Sequence, residues 1–173
     1  NLHEGAVEHE LEYAAGKGIK GWDESAYYQF SMAQIENEIV KPAEEIEDLC
    51  FQVVERAINN EEVLGRLGIP ENFWGYVADS WRNAEKNLYG RLDLSYDGRT
   101  PAKLLEYNAD TPTALYESAV MQWEWLEQAT NFGFIPDNVD QLNQIHERIV
   151  EMLPRFEIGE LAHFACSHDF EDD

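Results

Sequence analysis

From residue 24 to about residue 59 the apolar side chains fall at Tyr27, Phe30, Ile35, Ile39, Ile46, Leu49, Val53 and Ala57. Gaps of three, four and seven dominate, which predicts one long amphipathic helix. Asp23 fits its N-cap, and Pro42, inside it, should kink or split it. The acidic remainder, including Glu44, Glu45, Glu47 and Asp48, reads as a solvated face. A short helix, a Gly-Pro break at Gly68 to Pro70 and a second helix to about Asn87 follow. Trp74, Val77, Ala78 and Trp81 form the stripe of that second helix, and tryptophans so spaced read as core rather than as a stacking platform.

The period then shortens. Residues 88–96 and 102–109 predict two strands. Residues 113–130 predict a helix with Leu115, Ala119, Trp123 and Leu126 on one side, capped by Thr111 or Thr113 with Pro112 in its first turn. A turn at Gly133 and Pro136 leads to a helix from about 139 to 153, and "ELAHFACSH" at 160–168 reads as a third strand. Residues 1–21 show little period and read as a flexible lead-in to a domain at 22–173. Helices first, then strands and helices mixed, predict an α+β (α/β-like) fold: a mixed sheet of hairpin 88–109 and strand 160–168, covered by helices.

The hairpin carries charges that a core-building strand does not need. If Asp97 and Ala102 pair across the loop 98–101, Asp93 faces Glu106 and Arg91 faces Asn108, all on one face. A one-residue slip would scatter them. Two opposed carboxylates repel unless a cation lies between them. A hard ion such as Mg²⁺ suits two carboxylates and an amide oxygen, and the Arg91 fork suits a ligand carboxylate or phosphate. The alternative is a solvent-facing hairpin with cross-strand ion pairs.

Charge narrows the partners. Twelve Lys and Arg against 35 Asp and Glu give a formal charge of −23. Such a surface repels nucleic acid and anionic membrane and attracts metal ions, amines and polyamines. Excess acid can also serve solubility alone. Cys50 and Cys166 show no paired spacing and read as two reduced thiols, which points to a cytoplasmic protein. No apolar run reaches the roughly 18 residues of a membrane span. "GKG" at Gly16 to Gly18 lacks the second half of a phosphate loop. His3 and His9 read as tail residues, His146 as a surface or half-buried helix residue, and Cys166 with His168 as neighbours that lack a third, orienting group. The chain starts at Asn1 and stops in "HDFEDD", which reads as part of something longer.

"GRLDLSYDGRTPAKLLEYNADTPTALYESAVMQWEWLEQ", with "WDESAYYQF" at 22–30 and the closing "HDFEDD", resembles the glutathionylspermidine synthase family. The resemblance runs from about residue 21 to 173, on Arg-x-Asp followed by Glu-x-Asn-Ala-Asp-(Thr/Ser)-x-(Thr/Ser). It implies a pre-ATP-grasp-like part of an ATP-dependent carboxylate–amine ligase that works through an acyl phosphate, with Mg²⁺ and ATP as cofactors. It implies Asp93, Glu106 and Asn108 as magnesium ligands and Arg91 on the carboxylate or acyl phosphate. It implies Thr111 and Thr113 as contacts to a glutathione-like peptide, where the best-known members carry serines. It implies Glu171 and Asp172 on the side of the amine or polyamine. The family's ATP-clamping lobes lie beyond the matched stretch, so this chain alone is expected not to turn over ATP. A non-catalytic acidic domain that binds a metal ion or polyamine is the alternative.

Overall fold

The computed structural model describes residues 26–109, 114–156 and 161. These fall into two compact units, each taken by itself: 29–109, and 26–28 with 114–156 and 161. The expected lead-in 1–21, the Asp23 cap and the Thr111 or Thr113 cap lie outside the described residues. So does the expected strand 160–168 except for Leu161, which is exposed and in no element.

In the first unit, Ser31 opens the long helix. Its hydroxyl accepts from the Gln34 amide (3.3 Å), and Gln34 Oε1 accepts from the Ser31 amide (2.9 Å). This reciprocal capping box starts the helix at Met32, not at 24, because cap chemistry rather than apolar spacing sets a helix end. The chain is then helical through Met32–Gln34, the π-turn Ile35–Val40 and α1, Lys41–Ala57.

Pro42 does not split this helix. It sits in the first turn of α1, where a missing N–H is tolerated. In a regular α-helix the Glu38 carbonyl would accept from the amide at 42, and proline has none. That carbonyl accepts from the Ala102 amide at 2.7 Å, so the expected break is a docking point for the hairpin. The π-turn has a second consequence. It adds a residue to one turn and advances the helix phase. Leu49 and Val53, expected to face inward, are 59% and 55% exposed, and Cys50 and Val54, one position on, are half-buried.

Beyond α1, Asn60 caps α2, Glu61–Arg66, by accepting from the Val63 amide at 3.3 Å. After the 3₁₀ turn Glu71–Phe73, α3, Trp74–Arg82, turns Trp74, Val77, Ala78 and Trp81 inward as the spacing predicts. Trp74 Nε1–H donates to the Ile69 carbonyl (2.7 Å). Trp81 Nε1–H donates to Glu55 (2.6 Å), and its ring is tilted over Phe51 at 5.7 Å. Both indoles are therefore spent on packing and on hydrogen bonds within the fold. Ala57, Ile58, Leu64, Ala78 and Ala102 are the buried apolar residues of this unit.

The strands are shorter than their pattern. β1, Gly90–Ser95, and β2, Lys103–Ala109, form an antiparallel pair, the one sheet among the described residues. The pairs are Gly90 with Ala109, Arg91 with Asn108, Leu92 with Tyr107 and Asp93 with Glu106, then Leu94 with Leu104 and Ser95 with Lys103. The expected pairing of Asp97 with Ala102 is not formed. Asp97 Oδ1 instead accepts from the Arg99 amide (2.9 Å), the Thr100 amide (2.8 Å) and the Thr100 hydroxyl (3.1 Å), folding the loop 96–102 on itself. Leu105 is left over as a bulge.

The Tyr107 ring lies over Gly90, where an added Cβ would come within 2.9 Å of the ring. Gly90→Ala should therefore overpack this contact and cost about 1–3 kcal/mol, read as a lower denaturant midpoint with an unchanged slope.

In the second unit the π-turn Glu117–Met121 leads into α4, Gln122–Asn131. α4 closes at Gly133 (φ 73°), with the Gly133 amide on the Thr130 carbonyl and the Phe134 amide on the Ala129 carbonyl, both 2.9 Å. α5, Ile145–Met152, runs into the 3₁₀ turn Leu153–Phe156. It starts at Ile145 rather than near 139 because Asn143 bonds locally. The Asn143 Oδ1 accepts from the Ile145 amide (3.0 Å), while its Nδ2 donates to the Ser118 carbonyl. No helix among the described residues is long and apolar enough to cross a membrane.

Candidate metal- and carboxylate-binding face

The register places the four expected residues of the hairpin together. Arg91 stands opposite Asn108 and Asp93 opposite Glu106, on the face turned away from Leu92 and Tyr107. Arg91 Nε donates to Asp93 Oδ1 at 3.0 Å. With its amide oriented as its neighbours require, Asn108 accepts from Arg91 Nη2 (3.3 Å) and donates to Glu106 Oε1 (3.0 Å). The result is one connected network running Asp93–Arg91–Asn108–Glu106.

The network is open to solvent. The side chains of Arg91 and Asp93 are 31% and 40% exposed, Asn108 is half-buried and Glu106 is exposed. An ion pair at such exposure is worth about 0–1 kcal/mol. The directly opposed carboxylates of Asp93 and Glu106 oppose even that gain. Stability therefore gives little reason for this arrangement, and little energy is needed to reopen it around a ligand.

The donor set fits Mg²⁺. Two carboxylates and an amide oxygen are hard ligands on one face, and this ion keeps waters and substrate oxygens for its remaining positions. Among the described residues no group of three or more His, Cys, Asp and Glu side chains could hold a metal, so no nitrogen- or sulfur-rich centre is formed by them.

Other expected residues stand apart or lie outside the described set. Thr111, Thr113, Glu171 and Asp172 lie outside it, as do His3, His9, Cys166 and His168. His146 is exposed on α5, as its position predicts. A shallow cavity of about 250 Å³ in the second unit is lined by Trp123, Leu126, Glu127, Thr130, Asn131, Val139 and Asp140, none of them expected to carry chemistry.

Sequence patterning missed the residues that carry the hairpin. Glu47, assigned to a solvated face, is half-buried and accepts from the Tyr107 hydroxyl at 3.5 Å. Glu38 accepts from the Tyr96 hydroxyl, and that bond, with burial second, raises the Tyr96 pKa. The Thr100 and Arg99 amides lower the Asp97 pKa. One signal was present: Glu38 lies four residues before a proline, where a helix carbonyl loses its usual donor.

Compared with known families, residues 2–173 match the one described as glutathionylspermidine synthase preATP-grasp. The chain is 37% identical over 140 residues to a putative acid–amine ligase of Haemophilus influenzae, covering 78% of this chain and 32% of that protein. It is 32% identical over 84 residues to the trypanothione synthetase of Crithidia fasciculata, 48% of this chain and 13% of that one. It is 25% identical over 117 residues to the bifunctional glutathionylspermidine synthetase/amidase of Escherichia coli, 66% of this chain and 19% of that one. The chain thus spans about a third or less of the length of these relatives.

Proposed function

The chain belongs to the glutathionylspermidine synthase pre-ATP-grasp family, and from that premise we propose that it supplies the metal- and carboxylate-binding face of an ATP-dependent carboxylate–amine ligase. The observation that carries this reading is the register: Arg91 with Asn108 and Asp93 with Glu106, on one solvent-open face.

Asp93, Glu106 and Asn108 would hold Mg²⁺, which would supply neutralisation of phosphate charge and polarisation of a phosphoryl oxygen. Arg91 binds the substrate carboxylate and orients it, and its fixed positive charge stabilises the negative charge that accumulates as the carboxylate is activated to an acyl phosphate. Releasing Asp93 from its 3.0 Å bond and the Asn108 oxygen from its 3.3 Å bond frees the Arg91 fork for that group and these oxygens for the ion.

The trypanothione and glutathionylspermidine synthetases among the relatives point to a thiol peptide as the acid and a polyamine as the amine. Thr111 and Thr113 follow β2 closely in sequence and supply hydroxyls to the peptide. Glu171 and Asp172 attract the cationic amine, in keeping with a chain of charge −23. The nucleotide is gripped mostly by residues outside this chain, and the whole protein works in the cytoplasm.

ADP release by the full-length protein, given ATP, Mg²⁺, glutathione and a panel of polyamines, tests this reading. ADP is expected only when acid and amine are both present. Polyamine binding without ADP release under any pairing would overturn the ligase and favour a non-catalytic acidic binding domain.

A further inference from the structure

The hairpin is held in two registers that disagree by one residue. At the loop end, Leu94 pairs with Leu104 and Ser95 with Lys103. This end is fixed on Glu38, which takes the Ala102 amide on its carbonyl (2.7 Å) and the Tyr96 hydroxyl on its carboxylate. At the open end, Arg91 pairs with Asn108 and Asp93 with Glu106, and Leu105, 71% exposed, absorbs the mismatch.

If the loop-end register ran through, Asp93 would face Leu105, Leu92 would face Glu106 and Arg91 would face Tyr107. Side chains alternate across a sheet, so Arg91 and Asp93 would then lie on the face opposite Glu106 and Asn108 or pair with apolar partners. Something at the open end must hold the productive register against this.

We propose that Tyr107 is that positioning residue. Its ring fills the space over Gly90, within 2.9 Å of where a Cβ would stand, and its hydroxyl reaches Glu47 at 3.5 Å on α1. Glu47 lies on α1, nine residues beyond Glu38, so this hydroxyl contact, at the edge of hydrogen-bonding distance, only marks where Tyr107 approaches α1; the ring over Gly90 carries the register. In the loop-end register Tyr107 would stand opposite Arg91 and leave Gly90 uncovered. Tyr107 touches no ligand in this role. It acts through the register, keeping Asp93 opposite Glu106. The inference rests on the reading of that face as a divalent-ion site.

Deleting Leu105 removes the mismatch itself: Leu104 and Glu106 become neighbours, and every observed pair forms without a bulge. This gives a rescue that a merely structural role would not show. The test is isothermal titration of the full-length protein with Mn²⁺, checked by thermal melts. Tyr107→Leu should weaken Mn²⁺ binding by about 10- to 100-fold, the usual cost of losing support behind a metal ligand. Tyr107→Phe, which keeps the ring, should bind within about 3-fold of the parent, because a 3.5 Å hydroxyl contact contributes little. Deleting Leu105 in the Tyr107→Leu protein should restore binding.

Unchanged binding in Tyr107→Leu, or a folded double variant that does not recover, would overturn the proposal. If Tyr107→Leu has no cooperative melt, the double variant decides alone: Mn²⁺ binding there supports the proposal and its lack sinks it. Asp93→Asn in the same titration separates the two levels. Binding that survives Asp93→Asn means the ion site is wrongly placed. Binding lost in Asp93→Asn but intact in Tyr107→Leu means that only the positioning role fails.

Discussion

Asp93→Ala and Glu106→Ala, each in the full-length protein, should lower acid- and amine-dependent ADP release by about 10²–10³-fold while leaving the melting temperature unchanged or slightly raised. The two halves of this expectation have different causes. A divalent ion supplies several kcal/mol of charge stabilisation, and each 1.36 kcal/mol is a factor of ten in rate, so losing one of two carboxylate ligands costs on the order of two to three decades. The fold owes these side chains very little. Asp93 is 40% exposed, its ion pair with Arg91 is of the surface type, and it faces another carboxylate directly. Like charges opposed across a strand pair destabilise it, so removing one relieves repulsion. A hairpin whose charges served only solubility would show the reverse: no loss of turnover. Initial rates against Mg²⁺ concentration, alongside thermal melts, check both halves.

Arg91→Lys should be nearly as damaging, lowering kcat/KM for the acid by about 10²-fold. Lysine keeps the charge and loses the planar fork. Arg91 uses that fork in the structure, Nε on Asp93 at 3.0 Å and Nη2 on Asn108 at 3.3 Å. A flexible ammonium cannot make two such bonds at fixed angles. Loss of one preorganised donor to developing negative charge costs about 10²–10³-fold. The KM for amine should change little, because the guanidinium addresses the acid. A variant with unchanged kcat/KM for the acid would remove Arg91 from the chemistry.

Much of this site could be read from the sequence because a strand has a period of two. Once residues 88–109 are taken as a hairpin, few registers are possible, and those that keep Arg91 and Asp93 on the face of Glu106 and Asn108 differ by two residues; the pairing of Arg91 with Asn108 and Asp93 with Glu106 is the observed one at the open end. The loop end could not be read the same way. The expected pairing of Asp97 with Ala102 is not formed, because the Asp97 carboxylate is better used on the amides of Arg99 and Thr100. The bulge at Leu105 follows from contacts distant in sequence, the ties from Ala102 and Tyr96 to Glu38.

The long helix shows the same limit. Its apolar spacing fixed the element, but Ser31 and Gln34 fixed its start. The π-turn Ile35–Val40 advanced the phase, so that Cys50 and Val54 lie where Leu49 and Val53 were expected. Pro42 predicts a kink or a split because a missing N–H normally orphans a carbonyl, and the π-turn Ile35–Val40 lies just before it without a split. Here the hairpin supplies the substitute donor, which no local rule could foresee. The tryptophans of α3 were legible because helical spacing alone decides which way they point.

The most direct measurement is the electron paramagnetic resonance of Mn²⁺ added to the full-length protein and to its Asp93→Asn, Glu106→Gln double variant. The free-ion signal should be quenched by binding to the parent and should persist at the same Mn²⁺ concentration with the double variant. Equal quenching by both proteins would show that the ion binds elsewhere and would contradict the role given to the hairpin face.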